Sequence, residues 1–169
     1  ARRMPRWLGR GGEMADSSMG ESPRGGRFVL VLNGPSLGRL GRRQPEIYGT
    51  TTHDELAAQC VAWGAALGLS VEVRQTNHEG ELLDWLNQAA DDGIPVVLNA
   101  GAWTHYSWAL YDACAQLTAP LIEVHLSDPE RRPEVFRHMS VVQPHATTRF
   151  VGLGIEGYRL ALADLATGG

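Results

Sequence analysis

Apolar runs and helical periods alternate along the chain from residue 27 onward. Five short apolar runs predict buried strands at residues 28–32, 70–74, 95–99, 121–124 and 150–153. The intervals between them carry apolar residues at helical spacing. They predict helices that begin after the capping-box pair Thr52 and Glu55 and after Thr104, and helices at 79–91, 133–138 and 156–166.

Strands that alternate with helices in this way are typical of right-handed βαβ units around a parallel sheet. The pattern therefore predicts an α/β fold, a flavodoxin-like doubly wound five-stranded parallel sheet in a three-layer sandwich. Ligands bind such sheets at the carboxyl ends of the strands. Polar residues collect at four of the predicted strand ends, namely Asn33, 77–79, 99–105 and 125–127. Each could be a cap or a turn, but together they predict a site at this edge.

The first 26 residues lack the apolar period of the rest and contain five arginines. We interpret residues 1–26 as a disordered extension or a segment added for expression; a short targeting peptide is the alternative. Residues 27–169 are interpreted as a single catalytic domain. No apolar run approaches the length of a membrane span, which is roughly 18 residues.

Charge and composition narrow the chemistry. Residues 27–169 hold ten arginines and sixteen acidic residues, so neither nucleic acid nor an anionic membrane is expected as a partner. The chain has no lysine, which excludes a lysine Schiff base. Cys60 and Cys114 fall on apolar helix faces, as expected for free thiols in a reducing cytoplasm. The histidines show no metal-ligand spacing, so no metal site is predicted.

The loop at 33–49 permits two interpretations. Residues 34–38 read Gly-Pro-Ser-Leu-Gly, the pattern of a serine nucleophile elbow, but no helical period follows Ser36. The same loop carries Arg43 and Tyr48. The pKa of a tyrosine, about 10, must fall to near 7 for catalysis by a base at neutral pH. One nearby arginine supplies about 4 kcal/mol toward that change at an effective dielectric constant of about 20.

Two further groups would complete a set for proton transfer. Strand alternation places Glu123 and His125 on one face, where the carboxylate would orient the imidazole as a general acid. Asn99 and the backbone after His125 could hold a carboxylate. A base, an acid and a carboxylate site at one edge indicate a lyase. The alternatives are that Tyr48 packs the loop and that Glu123 and His125 form a structural ion pair.

The chain closely resembles type II 3-dehydroquinate dehydratases over residues 28–165. The segments that carry the resemblance are LNGPSLGRLGRRQPEIYG, RQTNHEGELLDWL, LNAGAWTHYSWALYDA, IEVHLS, FRHMS and GLGIEGYRLAL. The resemblance implies a cytoplasmic enzyme of the shikimate pathway that needs no cofactor and assembles as a dodecamer built from trimers. It implies reversible anti elimination of water from 3-dehydroquinate through an enolate.

The resemblance also implies roles for individual residues. Tyr48 would remove the C2 proton with its pKa lowered by Arg43, and His125, oriented by Glu123, would protonate the leaving hydroxyl. The residues implied to bind substrate are Asn99, Ser127 and the Leu126 backbone at the carboxylate, His105 and Arg137 at the ring hydroxyls, and Asp112 from a neighbouring subunit.

Three departures from the family pattern stand out. Ser36 replaces an asparagine that helps to position a water on the enolate, and a hydroxyl offers one donor where an amide offers two. Asp128 replaces the usual asparagine, and the segment between Ser127 and Phe136 is one residue longer, which blurs the alignment of two arginines at 131–132. A dehydratase for a related cyclic hydroxy-carboxylate, for example in quinate catabolism, and a slow or non-catalytic relative are therefore alternatives.

Overall fold

The sheet has five parallel strands, as the sequence predicts. The structure is a computed structural model that describes residues 27–42, 44, 47 and 49–168. The strands follow the order β2-β1-β3-β4-β5, with β1 (Arg27–Asn33), β2 (Leu69–Gln75), β3 (Val96–Asn99), β4 (Leu121–His125) and β5 (Thr148–Val151). Strand β2 is added on one side of β1 and strands β3 to β5 on the other. The ends of β1 and β3 therefore form the switch point where α/β sheets bind ligands.

The described α-helices form two layers, one on each face of the sheet. They are α1 (His53–Ala66), α2 (Glu79–Asp92), α3 (Trp108–Ala115) and α4 (Glu156–Thr167). Helices α1 and α4 pack on one face and α2 and α3 on the other, which confirms the three-layer sandwich. None of the helices in the described ranges is both long and apolar enough to cross a membrane.

Both faces of β1 are buried, and its side chains alternate between the two cores. Val29 and Val31 pack with the residues of α1 and α4, whereas Leu30 and Leu32 pack with those of α2 and α3. A strand covered on both faces reads as a continuous apolar run, which is why the sequence predicted it so readily. The same alternation places Asn33 on the α1 and α4 side, at the end of the strand.

The predicted capping box at the start of α1 is present, since Thr52 and Glu55 bond each other's backbone N–H groups. The prediction that Thr104 caps the next helix is wrong. Residues Gly101–His105 form a 3-10 turn, and α3 begins only at Trp108, capped by Ser107. Thr104 is a buried member of this turn, and its backbone carbonyl accepts a hydrogen bond from the backbone N–H of Val141.

Two other boundaries differ from the prediction. The strand predicted at 150–153 runs from Thr148 to Val151, because Gly152 takes a left-handed conformation and ends it. Polar Thr148 and Arg149 belong to the strand because their side chains bond acidic partners, Asp164 and Glu123. The helix predicted at 133–138 is a 3-10 turn at Val135–His138.

Both cysteines are free and buried. Burial raises the pKa of each thiol, to about 12 for Cys60 and for Cys114. The reactive thiolate is therefore nearly absent at pH 8. We expect a disulfide reagent such as DTNB to label neither cysteine in the native protein at pH 8 and to label both in urea. Rapid labelling of the native protein would contradict the packing of α1 and α3 described here.

Candidate active site

A cleft of about 190 Å³ opens at the carboxyl ends of β1, β3 and β4. The loop after β1 forms one wall, the turn after β3 forms the floor, and the loop after β4 forms the opposite wall. The lining residues are Pro35, Ser36, Leu37, Leu40, Asn99, Gly101, Ala102, His105, His125, Leu126, Ser127, Pro129, Arg132 and Arg137. The cleft therefore lies at the edge where the sequence predicted a site.

The loop after β1 lies directly against the end of β3. A Cβ at Gly34 would lie 2.5 Å from the Ala100 carbonyl oxygen, so only glycine fits there. Ser36 takes φ 66°, in the left-handed region that serine rarely adopts. Its backbone N–H donates to Asn77 Oδ1 at 2.9 Å, which holds the turn in place. The Ser36 hydroxyl makes no hydrogen bond to any residue that the structure describes.

The predicted pair on β4 is present. His125 Nε2 lies 2.8 Å from Glu123 Oε1, and both side chains are almost fully buried. Because a carboxylate can only accept, Nε2 carries a proton and Nδ1 is the ring nitrogen left for a ligand. The structure thus confirms that the two side chains share a face of β4. His125 lines the cleft, and Nδ1 is its ring nitrogen that is not bonded to Glu123.

Glu123 is held by three donors. Besides His125, the Ser140 hydroxyl donates to Oε1 at 2.6 Å and Arg149 Nε donates to Oε2 at 2.7 Å. Burial raises the pKa of Glu123, but the bonds and charges of His125, Ser140 and Arg149 outweigh that effect and hold it below its ordinary value. The group is therefore an anion at neutral pH, and it accepts the hydrogen bond that orients the His125 ring.

His105 stacks beside His125, with ring centroids 6.5 Å apart and an interplanar angle of 15°. Its Nδ1 donates to the Met139 carbonyl at 2.7 Å, which leaves Nε2 as an acceptor. Burial lowers the pKa of His105, and the nearby charges of His125 and Arg137 lower it further. His105 is thus suited to accept a hydrogen bond from a neutral hydroxyl.

Two arginines, Arg132 and Arg137, line the cleft. The guanidinium of Arg137 lies 4.9 Å from the Phe136 ring and 3.2 Å from Glu134, which restricts its orientation. Arg131, by contrast, forms an ion pair with Asp128 at 3.5 Å, and its side chain is 87% exposed. Of the two arginines whose alignment the sequence left open, Arg132 lines the cleft and Arg131 does not.

Two hydrogen bonds orient the side-chain amide of Asn99. Its Oδ1 accepts from the backbone N–H of Gly101 at 3.3 Å, and its Nδ2 donates to the Tyr158 hydroxyl at 3.0 Å. Tyr158 comes from α4 and is fully buried. Nδ2 makes no second hydrogen bond within the described ranges, so its other hydrogen is available to a ligand in the cleft.

Seven of the site residues expected from the sequence line the cleft: Ser36, Asn99, His105, His125, Leu126, Ser127 and Arg137. Glu123 does not line it and bonds His125 from behind. Asp112 does not line it; it is exposed on α3. Arg43 and Tyr48 lie outside the described residues. Asp128, which the sequence placed beside the carboxylate site, caps the turn at Pro129–Arg131 through the Glu130 N–H.

The serine-elbow interpretation finds no support in the described part of the chain. Ser36 is followed by the three-residue turn Leu37–Arg39 and not by a helix. The one histidine that is bonded to a carboxylate, among those described, is His125, on another strand. None of the bases among the described residues is hydrogen-bonded to the Ser36 hydroxyl.

Three residues that support the site were missed by the sequence analysis: Ser140, Arg149 and Tyr158. Only Arg149 left a usable signal, because β4 and β5 pair with Glu123 opposite Arg149 once β5 starts at Thr148. Ser140 and Tyr158 lie 17 and 125 residues from the groups they bond, Glu123 and Asn33, and no local pattern connects them.

Comparison with known proteins agrees with this geometry. The profile of the family described as Dehydroquinase class II matches residues 27–166. A 3-dehydroquinate dehydratase from Salinispora arenicola is 61% identical over 138 residues, which cover 82% of this chain and 96% of the relative. One from Mycolicibacterium paratuberculosis is 60% identical over 139 residues, which cover 82% and 96%. The crystal structure of type II dehydroquinase from Propionibacterium acnes shares 59% identity and superposes with a TM-score of 0.81, covering 83% of this chain and 97% of that one. The chain belongs to the class II dehydroquinase family.

Proposed function

We propose that the protein is a 3-dehydroquinate dehydratase, a hydro-lyase that removes water from 3-dehydroquinate to give 3-dehydroshikimate. The observation that carries the proposal is that His125, bonded to the buried Glu123, lines the same cleft as the oriented Asn99 amide. An oriented acid next to a carboxylate-binding amide fits elimination from a hydroxy acid, and two of the relatives named above are 3-dehydroquinate dehydratases.

The reaction proceeds in two steps. Tyr48, with its pKa lowered by Arg43, removes a proton from C2, and the electrons of that C–H bond form an enolate with the C3 carbonyl. The enolate then collapses, the C1–O bond breaks, and His125 Nδ1 gives a proton to the leaving hydroxyl. Water departs, and the C1–C2 double bond remains. Glu123 stabilises the protonated imidazole before this transfer.

The remaining cleft residues hold the substrate. Asn99, Ser127 and the Leu126 backbone bind its carboxylate, whose charge Arg132 complements. His105 and Arg137 bind ring hydroxyls. The neutral state of His105 suits that role, because burial lowers its pKa and its Nε2 is left as an acceptor.

The active assembly is a homo-oligomer, a dodecamer built from trimers, in which Asp112 reaches the cleft of a neighbour. In support, Tyr106 and Trp108, just before Asp112 in the chain, are 57% and 65% exposed, which is unusual for large aromatic residues. Light scattering is expected to give a mass of twelve times 18.4 kDa.

The two free thiols fit a cytoplasmic location, and the pathway is aromatic amino-acid biosynthesis.

Ser36→Asn tests the role of the residue that departs from the family pattern. We expect kcat to rise about tenfold, since an amide would hold the enolate-bound water and a direct donor in such a site contributes about 10²–10³-fold. Asparagine also tolerates the left-handed conformation, so stability should rise by up to about 1 kcal/mol. Steady-state kinetics and urea unfolding measure the two effects. Higher stability with an unchanged kcat would show that the present site compensates for the missing amide.

The proposed function is tested by following enone formation from 3-dehydroquinate by ultraviolet absorbance, with purified and assembled protein. We expect turnover that needs no added metal or cofactor. Absence of turnover in assembled protein would refute the proposal. A clear preference for a related cyclic hydroxy acid would instead assign the chain to the alternative dehydratase, with Ser36 as the first residue to examine.

A further inference from the structure

A chain of hydrogen bonds runs beneath the cleft from Asn99 to the start of α1. Asn99 Nδ2 lies 3.0 Å from the Tyr158 hydroxyl, which lies 2.6 Å from Asn33 Oδ1. Asn33 Nδ2 in turn lies 3.2 Å from His53 Nε2. Asn33 and Asn99 are register partners at the ends of β1 and β3, so the Tyr158 hydroxyl bridges two adjacent strand ends.

The hydrogen bond at the Gly101 end of this series determines which group donates and which accepts in every other bond of the series. The backbone N–H of Gly101 can only donate, so Asn99 must present Oδ1 to it and Nδ2 to Tyr158. The Tyr158 hydroxyl, having accepted from Asn99, donates to Asn33 Oδ1. Asn33 Nδ2 then donates to His53, whose Nε2 must be unprotonated. Burial lowers the pKa of His53, in agreement with a neutral ring.

The three central groups leave little room for another arrangement. Asn33 and Tyr158 are fully buried and Asn99 is 3% exposed, so water cannot readily replace a lost partner. If the Asn99 amide were flipped, its NH2 group would face the Gly101 N–H, and neither of these two donors would have an acceptor. The buried chain therefore selects one of the two amide orientations at the cleft.

We infer that Tyr158 and Asn33, supported by His53, are positioning residues that hold the Asn99 amide with an N–H directed at the substrate carboxylate. None of them lines the cleft. The inference rests on the proposed function, because its readout is the binding and turnover of 3-dehydroquinate.

The direct test is Tyr158→Phe, which removes only the bridging hydroxyl. Asn99 contacts the carboxylate, which does not react, so the lost orientation should affect ground state and transition state alike. We expect KM to rise about tenfold with kcat within about threefold of the wild type. The control is Thr148→Val, which removes another part-buried hydroxyl bonded to α4, at Asp164, away from the cleft. It should lower stability without a change in KM.

A variant pair at His53 keeps the inference testable if Tyr158→Phe fails to fold. His53 is only partly buried, and its replacement by leucine removes the acceptor at the end of the chain, whereas glutamine retains one. We expect His53→Leu to raise KM about threefold to fivefold and His53→Gln to recover most of that loss. Equal KM values for His53→Leu, His53→Gln and the wild type would overturn the inference. So would a Tyr158→Phe protein that folds and keeps the wild-type KM.

Failure of this inference is distinguishable from failure of the proposed function. Turnover by the wild type tests the function, whereas the ratio of variant to wild-type KM tests the positioning role. If the wild type does not turn over, titration calorimetry with 3-dehydroquinate gives the corresponding ratio of dissociation constants. A tenfold weaker affinity of Tyr158→Phe than of the wild type would support the positioning role, and equal affinities would reject it.

Discussion

Replacing His125 with glutamine is expected to lower kcat by about 10³-fold with little change in KM. The glutamine amide nitrogen can donate to Glu123 Oε1 as the imidazole Nε2 does at 2.8 Å, so the buried carboxylate keeps its partner. What the variant lacks is a group that can release a proton to the leaving hydroxyl. General acid catalysis contributes about 10²–10⁴-fold, and water in this narrow cleft replaces it poorly.

The loss should appear in kcat across the whole pH range, since no titrating group takes the place of His125. Stopped-flow and steady-state absorbance measure it, and thermal unfolding shows whether the fold is retained. The matched control is His78→Gln, because His78 is exposed and makes no side-chain cap at the start of α2. A His125→Gln protein with a kcat within threefold of the wild type would remove His125 from the role of acid.

Tyr48→Phe should reduce turnover by at least about 10³-fold while substrate binding remains within a few-fold of the wild type. The phenolate is the proposed base, and phenylalanine keeps its ring but cannot accept the C2 proton. Among the described groups, Glu123 is engaged by three donors, and the free acceptor of His105, Nε2, is assigned to a ring hydroxyl of the substrate.

Exchange of the C2 proton with deuterated solvent separates this variant from the previous one. His125→Gln should retain some exchange, since the base is intact, whereas Tyr48→Phe should show none. Tyr111→Phe is the control, because Tyr111 does not line the cleft and its hydroxyl makes no hydrogen bond within the described ranges. Wild-type exchange in Tyr48→Phe would assign the base to another residue.

The fold was predictable because its signals are local. Strands β1 and β3 are short apolar runs, and α1 carries its own capping box at Thr52 and Glu55. The errors occurred where a local signal had two solutions. Thr104 and Ser107 are both suitable caps, and the choice depends on the burial of Thr104 under a segment 37 residues further along, at Val141. No helical period records that contact.

The site was predictable to the extent that strand alternation and shared strand ends determine it. Glu123 and His125 are two residues apart on one strand, and Asn99 ends the neighbouring strand, so simple geometry brings them together. The supports of the site depend on tertiary packing. Arg149 reaches Glu123 only through the pairing of β4 and β5, and Tyr158 reaches Asn99 through the docking of α4. Such partners require the structure.

The close backbone contact between the loops that follow β1 and β3 has a consequence for selective inhibitors. Gly34 is in contact with Ala100, and a Cβ at Gly101 would lie 3.1 Å from the Pro35 carbonyl oxygen. The two loops therefore interlock through main-chain atoms, and relatives with the same glycines should share this rigid floor. A compound that binds only the floor would inhibit many relatives, whereas one that reaches Ser36 could discriminate this enzyme from them.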